Sequence, residues 1–245
     1  MRKTLTTVCT VLTTLVIGAL PGAAGTVEDA EITDPAGDAN FVSVASGNQQ
    51  DTRPASFDNA DLRAVWFETE YSTVKILDPD TGAISRVEHR PVALVIKIAT
   101  EAPVRPLTPW GALRFKVLAT TPACQATFEV LVATNPAFDS AEIRPAAPST
   151  SCGEVSIVKS PVMPTYDGAV STITFPLAHE QVSQVISAGT VLSQTSALVI
   201  ASPPAGSPIP SPSDQTASGR NFTVGQDLPP DVDCTADPGN PECQP

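Results

Sequence analysis

Apolar and polar positions alternate with a period of two through the middle of the chain. Leu62, Ala64 and Trp66 interleave with Arg63, Val65 and Phe67, and Val92, Leu94, Ile96 and Ile98 follow before Glu101. The pattern returns in Leu113, Phe115 and Val117 with Arg114 and Lys116 opposite, in Phe128, Val130 and Val132, in Val155 and Ile157, and in Val170, Ile173 and Phe175. Such alternation predicts half-buried strands rather than helices. Turn chemistry separates them, as in Asp78-Pro79-Asp80-Thr81-Gly82 and Tyr166-Asp167-Gly168. One short helix is predicted near His179–Ser187, with Val182, Val185 and Ile186 on one side and Gly189 as its stop. A last long strand follows around 191–201. Many strands joined by Pro, Gly and Asp turns predict an all-β fold, an antiparallel β-sandwich of jelly-roll or immunoglobulin-like type.

The alternation fails at both ends. Arg2 and Lys3 precede an apolar, Thr-rich run from about Leu5 to Leu20 and the small residues Gly22, Ala23, Ala24 and Gly25. Residues 1–25 therefore read as a secretory signal peptide. The run is shorter than the roughly 20 residues of a bilayer span, and no later segment approaches that length. The expectation is a secreted chain with no membrane insertion after signal removal, and Cys9 lies too early in the run for a lipoprotein. Residues 26–225 read as a single β-sandwich domain with a Pro-rich loop, 202–213, inside it. Arg220 to Val224 is a candidate closing strand. Residues 226–245 have almost no apolar positions and read as an exposed acidic tail. No internal repeat of fixed period is present.

Charge and cysteines narrow the picture. Against 14 Lys and Arg stand 26 Asp and Glu, a net charge of −12, and loss of residues 1–25 removes two cations and no acid. This balance argues against nucleic acid and anionic lipid as partners. The 25 prolines, with few lysines, fit a loop-rich exported protein from a GC-rich genome. Cys124, Cys152, Cys234 and Cys243 form an even set, read as two disulfides with three possible pairings. The favoured pairs are Cys124–Cys152 and Cys234–Cys243, worth roughly 3.6 and 2.7 kcal/mol by loop entropy, the second stapling the tail. Zinc is disfavoured: there is no C-x-x-C pair, and His89 and His179 lie at no ligand spacing from a cysteine.

Candidate chemistry concentrates near the start of the domain. Asp34-Pro35-Ala36-Gly37-Asp38-Ala39-Asn40 and Asp58-Asn59-Ala60-Asp61 group hard oxygen donors around a tight glycine turn, as calcium requires. Without a cation the carboxylates would repel one another. Asp34, Asp38, Asn40 and Asp61 are the candidate metal ligands, with Asp214 a weaker one. The alternative is a plain turn with Asp58 as a cap. Trp110, in the Pro/Gly loop Pro106–Gly111, and Tyr166 are the candidate ligand-binding aromatics, against the alternative that Trp110 lids the core. Trp66 lies in register with Leu62 and Ala64 and reads as core.

Catalytic patterns find no support. Ser72…Lys75 and Ser156…Lys159 match S-x-x-K, but in strands i and i+3 point to opposite faces. No G-x-S-x-G, H-E-x-x-H, P-loop or G-x-G-x-x-G occurs, and no carboxylate pair is singled out for glycoside hydrolysis. Asp78–Gly82 is better read as a hairpin turn than a calcium loop, since His89 stands where the distal Glu belongs. Asn221-Phe222-Thr223 is a formal glycosylation sequon, read as an ordinary strand segment.

The D-P-x-G-D opening (Asp34 to Asp38), the acidic Asp61-Leu62 before a strand, and the terminal Asp214…Gly219-x-x-Phe222-Thr223-Val224-Gly225 together resemble bacterial secreted β-sandwich domains related to DOMON-like and family-9 carbohydrate-binding modules. The resemblance covers about residues 30–225. It implies calcium in the acidic opening, sugars held on the sandwich face or its loops, and no catalysis. The chain departs from it in aromatic content, with only Trp66, Trp110, Tyr71 and Tyr166 available for stacking. The expected function is an exported non-catalytic binding module for a glycan or other cell-envelope component. The alternative is a structural or protein-interaction factor acting through a sheet edge or apolar patch, and an extracellular hydrolase ranks last.

Overall fold

The computed structural model describes residues 26–42, 50–54, 58–107, 110–122, 124–145, 157–206 and 211–244. The predicted alternation becomes strands β1 (Ile32–Thr33), β2 (Asn40–Val42), β3 (Gln50–Pro54), β4 (Leu62–Leu77), β5 (Ile84–Thr100), β6 (Ala112–Thr120), β7 (Gln125–Ala133) and β8 (Ser140–Pro145). There follow β9 (Val158–Lys159), β10 (Thr165–Asp167), β11 (Val170–Pro176), helix α1 (Glu180–Ser183), β12 (Val191–Ser202), β13 (Ser211–Gln215), β14 (Phe222–Thr223) and β15 (Val232–Asp233). Every pairing is antiparallel. One sheet runs β1-β4-β5-β11-β10 with β15 on β5; the other runs β3-β2-β13-β12-β6-β7-β8-β9 with β14 on β12. The all-β sandwich read from the sequence is the observed fold.

The core lies between the sheets. Val65 and Phe67 of β4, Leu94, Ile96 and Ile98 of β5 and Ile173 and Phe175 of β11 meet Leu113, Phe115, Val117, Phe128, Val130 and Val199 of the other sheet. Two aromatic pairs bridge the layers: Phe67 with Phe222 at 5.7 Å and Phe128 with Phe175 at 5.5 Å between centroids. The hairpin turns form as their sequences predict. The Asp78 carboxylate accepts from Asp80 N and Thr81 N, and Gly82 (φ 70°) and Gly168 (φ 58°) take the left-handed positions. The helix forms at the predicted place but is only four residues long, with Val182, Val185 and Ile186 buried.

Three expectations change. Trp66 is buried, but in a second cluster with Ala30, Ala64 and Ala99 apart from the main core. A register shift between Leu62 and Ala64 puts Leu62 inward while Trp66 turns outward, beneath the segment that begins at Thr26, whose carbonyl accepts the indole N–H. The Pro-rich stretch contains β13, which fills the place between β12 and β2. Pro212 is tolerated because it lies beyond the three residues paired with β12, so its missing N–H leaves that ladder intact. Residues 226–244 do not hang free: β15 pairs with Arg86 and Val87, and the Cys234–Cys243 disulfide forms as expected. This segment docks through polar contacts, with Asp231 accepting from Arg86 and His89 N, which is why apolar content gave no sign of it. Cys124 is in a disulfide, and its expected partner Cys152 lies outside the described residues, as does Val155 of the predicted 155–157 strand.

Gly219 sits where the two layers close on each other, its N–H on Thr195 O. A Cβ there would meet Glu31 O at 2.4 Å, Ile32 Cγ1 at 2.6 Å and Thr195 Oγ1 at 2.8 Å. Gly219→Ala is expected to lower stability by about 1–3 kcal/mol, read as a lower urea midpoint. Gly239→Ala, with its nearest neighbour at 3.7 Å, should change it by no more than about 0.5 kcal/mol.

Candidate metal centre

Asp34 follows β1 directly, and its N–H bonds to Arg63 O, so the chain leaves β1 still pinned to β4. It then turns through Pro35 to Gly37. Gly37 takes a φ of 77°, which an L side chain adopts only under strain, and this lets the chain double back toward β2. Asp61 fixes the turn: its Oδ2 accepts from Gly37 N at 2.6 Å. Asp214 arrives on β13 from the other sheet, and its Oδ2 accepts from Leu62 N at 2.7 Å. Residues 24 and 152 positions apart are thereby tied at one seam between the layers.

One carboxylate oxygen from each of Asp34, Asp38 and Asp214 lies within 4.8 Å of the others. Oxygens on the shell of one calcium ion, at about 2.4 Å from it, can be no more than about 4.8 Å apart, a spacing that the three could meet. Asp34 and Asp214 are buried and Asp38 exposed, which gives the group a wet side. Asp34 is 8% exposed and Asp61 2%, yet Asp34 Oδ2 and Asp61 Oδ1 are fully buried with no hydrogen-bond partner. A buried carboxylate oxygen without a donor is costly unless the carboxyl takes up a proton or a cation faces it. The donor set is all hard oxygen, with no thiolate or imidazole, and so fits calcium chemistry rather than zinc.

Electrostatics agree with the geometry. Burial, then the charges of Asp214, Asp38 and Asp61, push the Asp34 carboxyl up to about 7. Burial first, opposed by the Leu62 N–H and reinforced by Asp38 and Asp61, pushes Asp214 up to about 6. Asp34 and Asp214 are close enough to share a proton. Burial also raises Asp61.

Of the four predicted ligands, Asp34 and Asp38 are brought together. Asp61 stands one step behind, holding the turn rather than joining the group of three. Asn40 contributes backbone to β2, and its side chain lies outside what is described. Asp214, the weaker candidate, is a full member. Its weight could not be read locally, because its place depends on β13 crossing to the N-terminal seam.

The two candidate ligand-binding aromatics turn inward. Trp110 is 3% exposed and packs in the main core, its indole N–H donating to Asn59 Oδ1 at 3.1 Å. It lids the sandwich beside the turn that carries Asp61, and Asn59 satisfies the one polar atom of its indole. Tyr166 is half-buried against the same core, with the Arg105 guanidinium 5.0 Å over its ring. Its hydroxyl is buried without a well-formed hydrogen bond, and burial, then Asp139, hold the phenol far above its ordinary range. No protein-family model matches the chain, and neither a curated protein nor a solved structure shows significant similarity to it.

Raised carboxyls give a pH signature. Without divalent cations the folded chain keeps protons on Asp34 and Asp214 that the unfolded chain, with ordinary values of 3.8, has released. Their contribution is fully present below about pH 4 and is lost as pH rises to about 7. In chelator, wild type should therefore lose stability relative to Asp34→Asn between pH 4 and 7. Urea midpoints of the two chains at each pH measure the difference.

Proposed function

We propose that the protein is an exported, non-catalytic β-sandwich module that carries a structural calcium ion and acts by contact with a cell-envelope component. The observation that carries this reading is the pair of buried, unpartnered oxygens, Asp34 Oδ2 and Asp61 Oδ1, beside three carboxylates grouped for one ion. Asp34, Asp38 and Asp214 would hold the cation, which supplies charge neutralisation and no reaction. The basic start, apolar run and small residues of positions 1–25 support export, as does the Cys234–Cys243 disulfide.

Contact with protein is favoured over sugar. A sugar platform needs exposed aromatic faces, and Trp110 is buried while Tyr166 lies half-buried under Arg105. Hydrolysis is disfavoured by the same seam: its carboxylate oxygens crowd within 4.8 Å, tighter than the roughly 5–9.5 Å between the carboxyl groups of glycosidases.

Calcium at about 100-fold over its Kd should add about 2.7 kcal/mol and raise the melting midpoint by about 5–10 °C over the chelated protein. Asp38→Asn, which changes the exposed ligand and leaves the buried pair in place, should abolish most of the rise. An unshifted midpoint in wild type would remove the metal from this reading.

A further inference from the structure

The outer edge of β4 is covered in two different ways along its length, and beyond them, among the described residues, it is open. At its start β1 pairs with Ala64 and Val65. Beyond β1 the outward N–H groups go to side-chain carboxylates: Phe67 N to Glu31 Oε2 at 2.9 Å and Thr69 N to Asp227 Oδ2 at 2.7 Å. Backbone direction alternates along a strand, so Tyr71, Thr73, Lys75 and Leu77 present their N–H and C=O groups on this same edge, while Ser72, Val74 and Ile76 face Arg90, Glu88 and Arg86 of β5. Among the described residues, no strand or carboxylate meets the edge from Tyr71 to Leu77. Tyr71 is 43% and Leu77 56% exposed, and within the span Tyr71-Ser72-Thr73-Val74-Lys75-Ile76-Leu77 the residues Tyr71, Thr73, Val74 and Ile76 are strong strand formers. Open edges of this length are normally shortened, capped or charged. This one carries a single cation, Lys75, whose ammonium already donates to Gln244 O.

We propose that this edge pairs with the same edge of a second copy, antiparallel about a two-fold axis at Val74, joining the two β4–β5 sheets into one. The sequence selects that register. Centred on Val74, Tyr71 lies opposite Leu77 of the second copy, Ser72 opposite Ile76, Thr73 opposite Lys75 and Val74 opposite itself. Apolar groups meet on both faces and no like charges oppose within the span; Glu70 and Asp78 face each other only past its ends, where the Asp78 carboxylate is engaged by the N–H groups of its own turn. Centring on Lys75 would set ammonium against ammonium. Centring on Thr73 would require the Thr69 N–H that Asp227 already holds. The interface is isologous and closes at two copies. It is independent of any metal.

The pairing makes Val74 a non-hydrogen-bonded cross-strand pair with Cα atoms about 4.5 Å apart, within disulfide reach. Sedimentation velocity of the protein from micromolar to submillimolar concentration should show a monomer–dimer equilibrium, tighter at higher ionic strength because each copy bears a charge of −12. Thr73→Lys sets like charges opposite at two symmetric places and should weaken the dimer by about tenfold or more without lowering the melting midpoint. Adding Lys75→Glu to that variant should restore the dimer. Under mild oxidation Val74→Cys should crosslink two chains and Ile76→Cys should not. A wild type that stays monomeric throughout, a dimer indifferent to Thr73→Lys, or crosslinking at position 76 instead of 74 would overturn the proposal.

Discussion

The Asp214 carboxylate on the first N–H of β4 is the contact on which the arrangement turns. It joins strands of different sheets, 152 residues apart, at the point where the chain also crosses from β1 to β2. Around it the seam is closed by short links of the same kind: Asp61 to Gly37 N, Asp34 N to Arg63 O, Arg220 N to Glu31 O and the Arg220 guanidinium to Asp29 O and Ala30 O. The sandwich is thus sewn on this side by polar groups rather than by apolar packing, and four carboxyls converge where the stitches are densest. Their mutual repulsion is the strain that a cation would relieve.

Carboxylates do similar work elsewhere. Glu31 and Asp227 finish the edge of β4, and Asp231 finishes that of β5 at His89. Glu129 is buried on the outer face of its sheet beneath Arg114, with Lys116 at 3.6 Å and Arg144 at 3.5 Å. An acid excess that reads from composition as an argument against anionic partners is in part a set of backbone caps and buried anchors. Charge count alone cannot separate those roles, because a capping Asp and a solvated Asp have the same letter and the same net effect on the total.

What could be read from the sequence follows from the range of the forces involved. Alternation and turn residues act within a few positions, so the strands, the Asp78–Gly82 and Tyr166–Gly168 turns and the place of α1 were all legible. So was the local half of the acidic site, Asp34 and Asp38. The face of Trp66 was not, since it depends on a bulge and on residues 26–30 folding over the sheet. For Trp110 the loop position left both a contact residue and a lid on the core open, and what decides for the lid is not local: Asn59, 51 residues away, accepts its indole N–H. The strand β13 was hidden among prolines, which left Asp214 only a weaker candidate, and the docking of residues 226–244 was hidden by their lack of apolar side chains.

The docked C-terminal segment also bears on how the chain reaches this state. β15 lies against β5 with about 145 residues between partners, as in Arg86 and Asp231. Seams of this sequence separation close late, since the loop entropy must be met before the contacts reward it. As the chain emerges from N to C terminus, the β4–β5 hairpin can form early, yet Arg86, Val87 and His89 remain without their cover until the final strand appears. The order of synthesis therefore leaves that side of the β4–β5 hairpin bare until residues 231–234 arrive to cover it.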